Sequence, residues 1–526
     1  MNGRPYQLDC LAAFRAGWAE WRKQLGVLPT GSGKTIIFSW MAREFADRGE
    51  RILVLVDQSE LAWQTVDKMS RAAGVTCAVE KAEFSAGRGA QVVCATVQTM
   101  ARRLDDWPAD HFGLVIADEA DKSISKQWQT VLKHFDTHAK VAGFTATPNR
   151  TDKKNLGEYY ENIAYEISLT DLINQGYLSP IRIKQLPIKI DLTAVKITRT
   201  AEGSDFDRQQ LSDAITPHLI ECAMAIRQHA SFRKVLVFVP LIATSLKFVE
   251  ILRTAGLAAE HIDGNSDDRD DKLRRFAAGE FDVLVNSALL LRGIDIPSID
   301  CVMLLRATKS VTLAQQAYGR GTRLSPETGK EDLLILDVLF QTDKQLVIRP
   351  AHLVAKSQEE ADSILEVAGQ ACPPPGKAGE QLTALDLLGM ASEAQALRER
   401  KLRKKIEEHQ DKQARTISAA EFALRHKHLD VAEYEPTMAW ERQEPSEKQL
   451  KYIKQAGIDV ATVRGKGHAS KLLSIHFGNR PINLASEGQR ALMVRMGHPN
   501  AANATAGEAR TFFAGLHNKR KEPALL

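Results

Sequence analysis

The chain has 526 residues, of which 44% are hydrophobic and 26% charged, with a formal net charge of +4. A chain of that length holds roughly three or four domains with a substantial core, and so small a positive excess does not by itself imply a polyanionic partner. The six cysteines lack any C-x-x-C spacing and suggest neither a disulfide framework nor a zinc site; with no secretory signal and no apolar run of ~18 residues, a soluble cytoplasmic protein without a membrane partner is expected.

Arg4-Pro5-Tyr6-Gln7 comes first, and the pattern after it predicts a helix from Leu8 to about Lys23. A glutamine ahead of a phosphate loop can pair its amide with the donor and acceptor edge of adenine, which makes Gln7 a candidate nucleotide contact. Residues 28–35, Leu-Pro-Thr-Gly-Ser-Gly-Lys-Thr, are the stretch on which the later motifs depend. Gly31 and Gly33 let the backbone turn its N–H groups toward phosphate oxygens on either side of Ser32, Lys34 brings a positive charge to the β- and γ-phosphates, and the Thr35 hydroxyl can ligate Mg²⁺. The strict phosphate-loop pattern has glycine where Leu28 stands. Ile36 to Ala46 is then expected as a helix whose N-terminal dipole favours the same anion.

Arg51–Val56 is a short apolar run of the buried-strand type, and Gln58 opens the next helix. Gln91–Thr96 repeats the pattern and leads into Thr96-Val97-Gln98-Thr99. Leu114–Ala117 runs into Asp118-Glu119-Ala120-Asp121, and Val141–Thr145 into Thr145-Ala146-Thr147-Pro148. Strands alternating with helices at this spacing imply a doubly wound parallel sheet, with ligands at the C-terminal strand ends. An acidic pair at such an end assigns Asp118 to Mg²⁺ and Glu119 to orienting the attacking water; two solvated acids capping a helix would be the reading without the phosphate loop. Thr145 and Thr147 can hydrogen-bond the carboxylates and relay nucleotide state to a polymer site.

Pro-Thr-Gly-Ser-Gly-Lys-Thr, Thr-Val-Gln-Thr, Asp-Glu-Ala-Asp and Thr-Ala-Thr-Pro, in this order, resemble motifs I, Ib, II and III of the superfamily 2 helicases of DEAD/DEAH type. Leu169–Pro180 resembles the crossover out of the first RecA-like domain. Val235–Val239, the run ending at His261-Ile262-Asp263-Gly264, and Val283–Ser287 read as further strands, with a helix over Arg269–Phe276 between the last two. Arg292-Gly293-Ile294-Asp295-Ile296-Pro297 resembles motif V, and Gln315 to Arg323 (Gln-Gln-Ala-Tyr-Gly-Arg-Gly-Thr-Arg) matches motif VI closely. Two arginines three apart on a helix share a face, so Arg320 and Arg323 are expected to reach the γ-phosphate when the domains close, an effect worth ~10³–10⁵ in rate.

The resemblance implies an α/β fold of two RecA-like domains, ATP and Mg²⁺ as cofactors, nucleotide contacts from Arg4, Thr30, Ser32, Gly293 and Asp295, and nucleic acid as partner, in a bacterial cell or phage-infected host. Gln58, Thr96, Gln98 and Ser287 are the candidate polymer contacts, to the backbone and without sequence preference. Motifs III and VI are similar to those of the DNA-directed type III restriction and repair group; motifs II and V are similar to those of the RNA-directed DEAD-box relatives, and Asp57-Gln58-Ser59 stands where relatives often carry a basic residue. DNA is preferred; an RNA helicase and a non-catalytic nucleotide-gated scaffold are the alternatives.

The expected division is an ATP-binding domain over 1–168, a second RecA-like domain over 169–350, a linker over 351–383 that includes Cys372-Pro-Pro-Pro-Gly376, a charged helical segment over 384–440, and two helical-hairpin repeats over 441–526. Asp386 with Glu399 and Lys401 has the residue types of a nuclease triad, a pattern expected by chance in so charged a segment. The repeats rest on Ser446-x-x-Gln449 and Ser486-x-x-Gln489, capping boxes 40 residues apart. With lysine and arginine outnumbering acids from 446 onward, they are expected to grip nucleic acid or dock a replication or repair protein, with a plain helical bundle as the alternative.

Overall fold

The computed structural model describes residues 3–57, 59–146, 156–200, 203–263, 268–287, 296–338, 348–355, 358–371, 385–409, 417–477 and 493. It divides into two compact units, Met1–Arg398 and Glu399–Leu526.

The first unit contains two seven-stranded sheets. Strands β1 (Lys23–Val27), β2 (Ile52–Val56), β3 (Ala78–Glu80), β4 (Val92–Thr96), β5 (Leu114–Asp118), β6 (Lys140–Thr145) and β7 (Asn162–Glu166) lie in the order β3-β4-β2-β5-β6-β1-β7, all parallel. Every residue of β2 and β4 is buried. Helices on both faces explain why these strands read as continuous apolar runs rather than alternating ones. The first helix spans Pro5–Gly17, not Leu8–Lys23, and Lys23 instead opens β1. The polar start of that strand hid it: Gln24 is fully buried, yet its amide donates to the Phe14 carbonyl at 3.0 Å.

The second sheet comprises β8 (Ile181–Gln185), β11 (Val235–Val239), β12 (Ala259–Ile262), β13 (Val283–Ser287), β14 (Cys301–Leu304), β15 (Leu333–Asp337) and β16 (Leu385–Asp386). Its order is β12-β13-β11-β14-β15-β8-β16, parallel except where β16 runs antiparallel to β8. A two-stranded antiparallel hairpin, β9 (Ile197–Thr200) and β10 (Gly203–Phe206), interrupts the chain between β8 and β11.

Residues 351–383 are not simply a linker. Gln358–Ala371 is a helix that buries Ala361, Ile364 and Leu365 in the core shared with both sheets, while Cys372–Gly376 lies outside the described residues. The segment 384–440 is likewise split. Leu387, Met390 and Ala394 of the helix Leu387–His409 pack into the first unit, and Asp386 sits on β16, its carboxylate accepting from the Leu388 and Gly389 N–H groups at 3.1 Å.

The second unit has its own core of Phe422, Leu424, Ile453, Leu472 and their neighbours, drawn from helices Ala419–Arg425, Leu429–Ala432, Glu447–Gln455 and Lys466–His476. Ser446 and Gln449 form the expected capping box, and Gly457 turns the chain at φ 73° to complete a helical hairpin. Apart from Met493, the second repeat falls outside the described residues.

Candidate active site

Three adjacent strands of the first sheet, β1, β6 and β5, deliver the site at their C-terminal ends. The phosphate-loop stretch follows β1, with Gly31 at φ 87° and Gly33 at φ 79°, left-handed conformations that side chains other than glycine rarely adopt. Gly33 caps the helix Lys34–Asp47. The loop's backbone is held from behind by the first helix: the Tyr6 hydroxyl and the Gln7 amide donate to the Ser32 carbonyl at 2.6 and 3.0 Å, and Gln7 Oε1 accepts from the Arg4 N–H at 3.1 Å. Gln7 thus supports the loop directly with the amide assigned to adenine. Arg4 reaches the crossover, donating to the Tyr177 carbonyl at 3.3 Å with its guanidinium 5.6 Å from the Tyr177 ring centre.

Lys34 donates to the carbonyls of Leu28 and Pro29 at 3.1 and 3.4 Å. Burial lowers its pKa, and the charges of Glu119, Asp118 and Asp121 act against that shift while Arg320 adds to it. All four charges are thus close enough to act on one ammonium. Burial, then the neighbouring Glu119, raises Asp118 to about 6. Glu119 sits at φ 57°, and its Oε2 is buried without a hydrogen-bond partner. Thr145 is fully enclosed and donates to Asp121 at 3.3 Å rather than to Asp118 or Glu119. Asp57, the acid standing where relatives often carry a base, pairs with Lys122 at 2.5 Å, just beyond the acidic motif.

Motif VI faces this loop across the domain boundary. The helix Val311–Gly319 ends with Arg320 as its C-cap, and Arg323 lies in the turn beyond. The two arginines do not share a helical face as expected; the turn folds both toward the loop. A Cβ built on Gly31 would meet Thr322 at 3.2 Å and Arg323 at 3.5 Å, and one on Gly319 would lie 2.7 Å from Thr30. Burial brings the Arg323 pKa down to about 10, so it stays charged at neutral pH. Ser179 fastens the turn by donating its N–H to the Thr322 carbonyl at 2.7 Å and its hydroxyl to the Arg323 carbonyl at 3.0 Å.

Two lysines were not foreseen. Lys330 donates to the carbonyls of Pro297, Ile299 and Gly321 at 3.0, 2.5 and 2.7 Å, pinning the residue between the arginines. Lys68 feels Arg323, Arg320 and Asp118 and is lowered to about 8, chiefly by burial. No motif marks either position. Of the proposed polymer contacts, Thr96 and Ser287 are each only 3% exposed, and the Thr96 hydroxyl is taken by Thr99 at 2.9 Å; Gln98 is partly exposed. Strand ends in a sheet covered on both faces are enclosed, and Thr96 and Ser287 lie away from the open surface. Gln58, Thr147, Gly293 and Asp295 lie outside the described residues.

The described cysteines Cys10, Cys77, Cys94, Cys222 and Cys301 are free, and among the described residues no helix is long and apolar enough to cross a membrane.

Residues 1–150 match the family "Type III restriction enzyme, res subunit", and residues 216–325 match "Helicase conserved C-terminal domain". The chain is 28% identical over 410 residues to IRC3 of Saccharomyces cerevisiae, provisionally named an ATP-dependent helicase, covering 73% of this chain and 59% of the relative. A Schizosaccharomyces pombe irc3, provisionally named a mitochondrial ATP-dependent helicase, is 31% identical, with 64% and 57% covered. The chain therefore spans less than two thirds of either relative's length. Among solved structures, the type ISP restriction-modification enzyme LlaBIII bound to DNA superposes with a TM-score of 0.52 at 15% identity, over 71% of this chain and 31% of that one, a likeness of fold.

Proposed function

We propose that this chain, which over residues 1–150 and 216–325 belongs to the superfamily 2 helicases of the type III restriction-like group, is an ATP-hydrolysing motor that unwinds or translocates along DNA. The observation that carries the reading is that motif VI of the second domain packs on the phosphate loop of the first, Gly31 against Thr322 and Arg323 and Thr30 against Gly319, with Lys34 in the field of Asp118, Glu119, Asp121 and Arg320.

The residues fit a magnesium nucleotide. Glu119 keeps a buried carboxylate oxygen with no protein partner, as a group that orients water requires, and two left-handed glycines bracket Ser32 so that successive N–H groups form an anion cradle. Thr35 and Asp118 would hold Mg²⁺, which when bound neutralises charge on the transferring phosphate. Lys34 binds the β- and γ-oxygens, Glu119 orients the attacking water, and Arg320 with Arg323 stabilises the charge that develops. Because the arginines come from the second domain, hydrolysis requires closure, and closure moves a strand held by both domains. Thr145, through Asp121, is the assigned link between the two events.

DNA is preferred because the matching family is that of a restriction enzyme subunit. The second unit is assigned an auxiliary grip on the same polymer: Lys448, Lys451 and Lys454 are exposed on one helix, spaced three apart. Free cysteines agree with a reducing cytoplasm.

The test is steady-state ATP turnover without polymer and with single-stranded DNA, duplex DNA and single-stranded RNA. Stimulation chiefly by DNA supports the reading, stimulation chiefly by RNA replaces DNA with RNA, and no turnover under any condition refutes a motor.

A further inference from the structure

The hairpin β9–β10 forms a two-stranded sheet separate from the seven-stranded one, and nothing in the motifs accounts for it. Lys196, Ile197 and Thr198 along it are exposed, yet Asp205 on the opposite strand turns inward. Asp205 Oδ1 accepts the Lys309 N–H at 3.0 Å, Oδ2 accepts the Thr308 hydroxyl at 3.1 Å, and the buried Arg306 stands 4.0 Å away.

Those contacts lie just before the N-terminal cap of the motif VI helix. Thr308 is fully buried; its Oγ1 also accepts the Ser310 N–H at 3.0 Å, and Ser310 Oγ caps the helix by accepting the Leu313 N–H at 3.2 Å. Nine residues later the same helix ends at Gly319, packed on Thr30 of the phosphate loop, with Arg320 as its C-cap. A helix that short moves as a rigid rod of roughly 13 Å. Hydrogen bonds therefore run from the hairpin, through Asp205 and Thr308, to the N-terminal cap of the helix whose other end carries Arg320.

We propose that Asp205 is a positioning residue through which the Ile197–Phe206 hairpin sets the place of Arg320 at the nucleotide site, so that hairpin and hydrolysis are mechanically linked. Asp205 touches no substrate and acts only through Thr308, the cap and the helix. The inference rests on the motor reading above.

Such a role alters turnover without altering nucleotide capture, since Lys34 and the loop glycines lie in the other domain. With saturating single-stranded DNA, Asp205→Ala is expected to lower kcat about 10-fold while leaving KM for ATP within about twofold. Asp205→Asn keeps an oxygen for the Lys309 N–H and is expected to recover most of kcat. Thr308→Val breaks the same path at the next residue without vacating Asp205, and the double variant Asp205→Ala/Thr308→Val should be no worse than the poorer single one. In an Arg320→Ala background, Asp205→Ala should cost nothing more, whereas a merely structural role would still cost turnover there. Asp205→Ala and Thr308→Val that both stay within twofold of the parent kcat overturn the inference and leave the motor reading standing; a parent chain that does not hydrolyse ATP removes both.

Discussion

Lys34 and Asp118 are perturbed in opposite senses by the same enclosure, burial lowering the ammonium and raising the carboxyl. Lys34→Ala should reduce turnover by at least about 100-fold, because the cation aimed at the phosphates has no substitute on its own loop. Glu119→Gln should bind nucleotide and DNA while blocking hydrolysis; equilibrium binding and turnover on the same preparations check both. Asp118 also affects stability. Its folded pKa, about 6, lies above the usual carboxyl value of 3.8, so between those pH values the native state binds more protons than the unfolded one, and stability contributed by this group falls as pH rises through the window. In metal-free, nucleotide-free protein at pH 7.5, Asp118→Asn should therefore unfold later than the parent, by about 1–3 kcal/mol, and that gain should vanish near pH 4. Denaturant melts at the two pH values decide it.

Legibility in the sequence depends on how chemistry is distributed along the chain. The phosphate loop, the acidic pair and motif VI stand out because each needs several neighbouring residues at fixed spacing. Lys122 was not legible as a partner of Asp57, since the pair is 65 positions apart and each looks like a surface charge. Lys330 was equally silent, because its work is to hold three carbonyls, and carbonyls leave no mark in a sequence.

At the scale of elements, the phosphate loop and the motif VI turn meet closely at Gly31, where an added Cβ would lie 3.2 Å from Thr322. Gly31→Ala combines a φ of 87° with contacts to Thr322 and Leu178 at 3.2 and 3.3 Å. The backbone strain alone costs about 1–3 kcal/mol, and the added methyl pushes on Thr322 and Leu178 by a few tenths of an ångström; ATP turnover should fall much further than the melting temperature. The strands legible in the sequence, β2, β4, β5, β6, β11, β12 and β13, lie within a residue or two of expectation, since buried apolar runs such as Ile52–Val56 have few other uses, whereas β3, β7, β8, β14 and β15 carry no motif and were not read. Misreadings came where polarity disguised a buried element, as in β1 with Gln24, or where composition spoke louder than packing, as in the helix Gln358–Ala371. The hairpin escaped because Ile197 and Thr198 are exposed and the sequence between its strands, Ala201-Glu202, holds no glycine pair.

For the whole molecule, the second unit's separate core means that a cut at 440 would divide Phe422 and Leu424 from Ile453 and Leu472. A chain ending at His409 removes that core intact. It should retain turnover without polymer, bind DNA more weakly and show a flatter dependence of binding on salt, as loss of exposed lysines requires; unchanged binding would show that the second unit does not touch DNA.

A different cut makes use of β16. That two-residue strand covers the outer edge of β8, whose other side is taken by β15. A chain ended at residue 350, where the helicase motifs stop, would uncover the outer edge of β8 at Arg182 and Ile183 and, without the helix Gln358–Ala371, expose apolar side chains of the core. Such an edge is a template for intermolecular strand pairing. The shorter protein is expected to precipitate or form thioflavin-positive assemblies on refolding, where the one ending at His409 stays monodisperse; that outcome would make the last segment of the first unit a guard against self-association, and two monodisperse proteins would deny it that role.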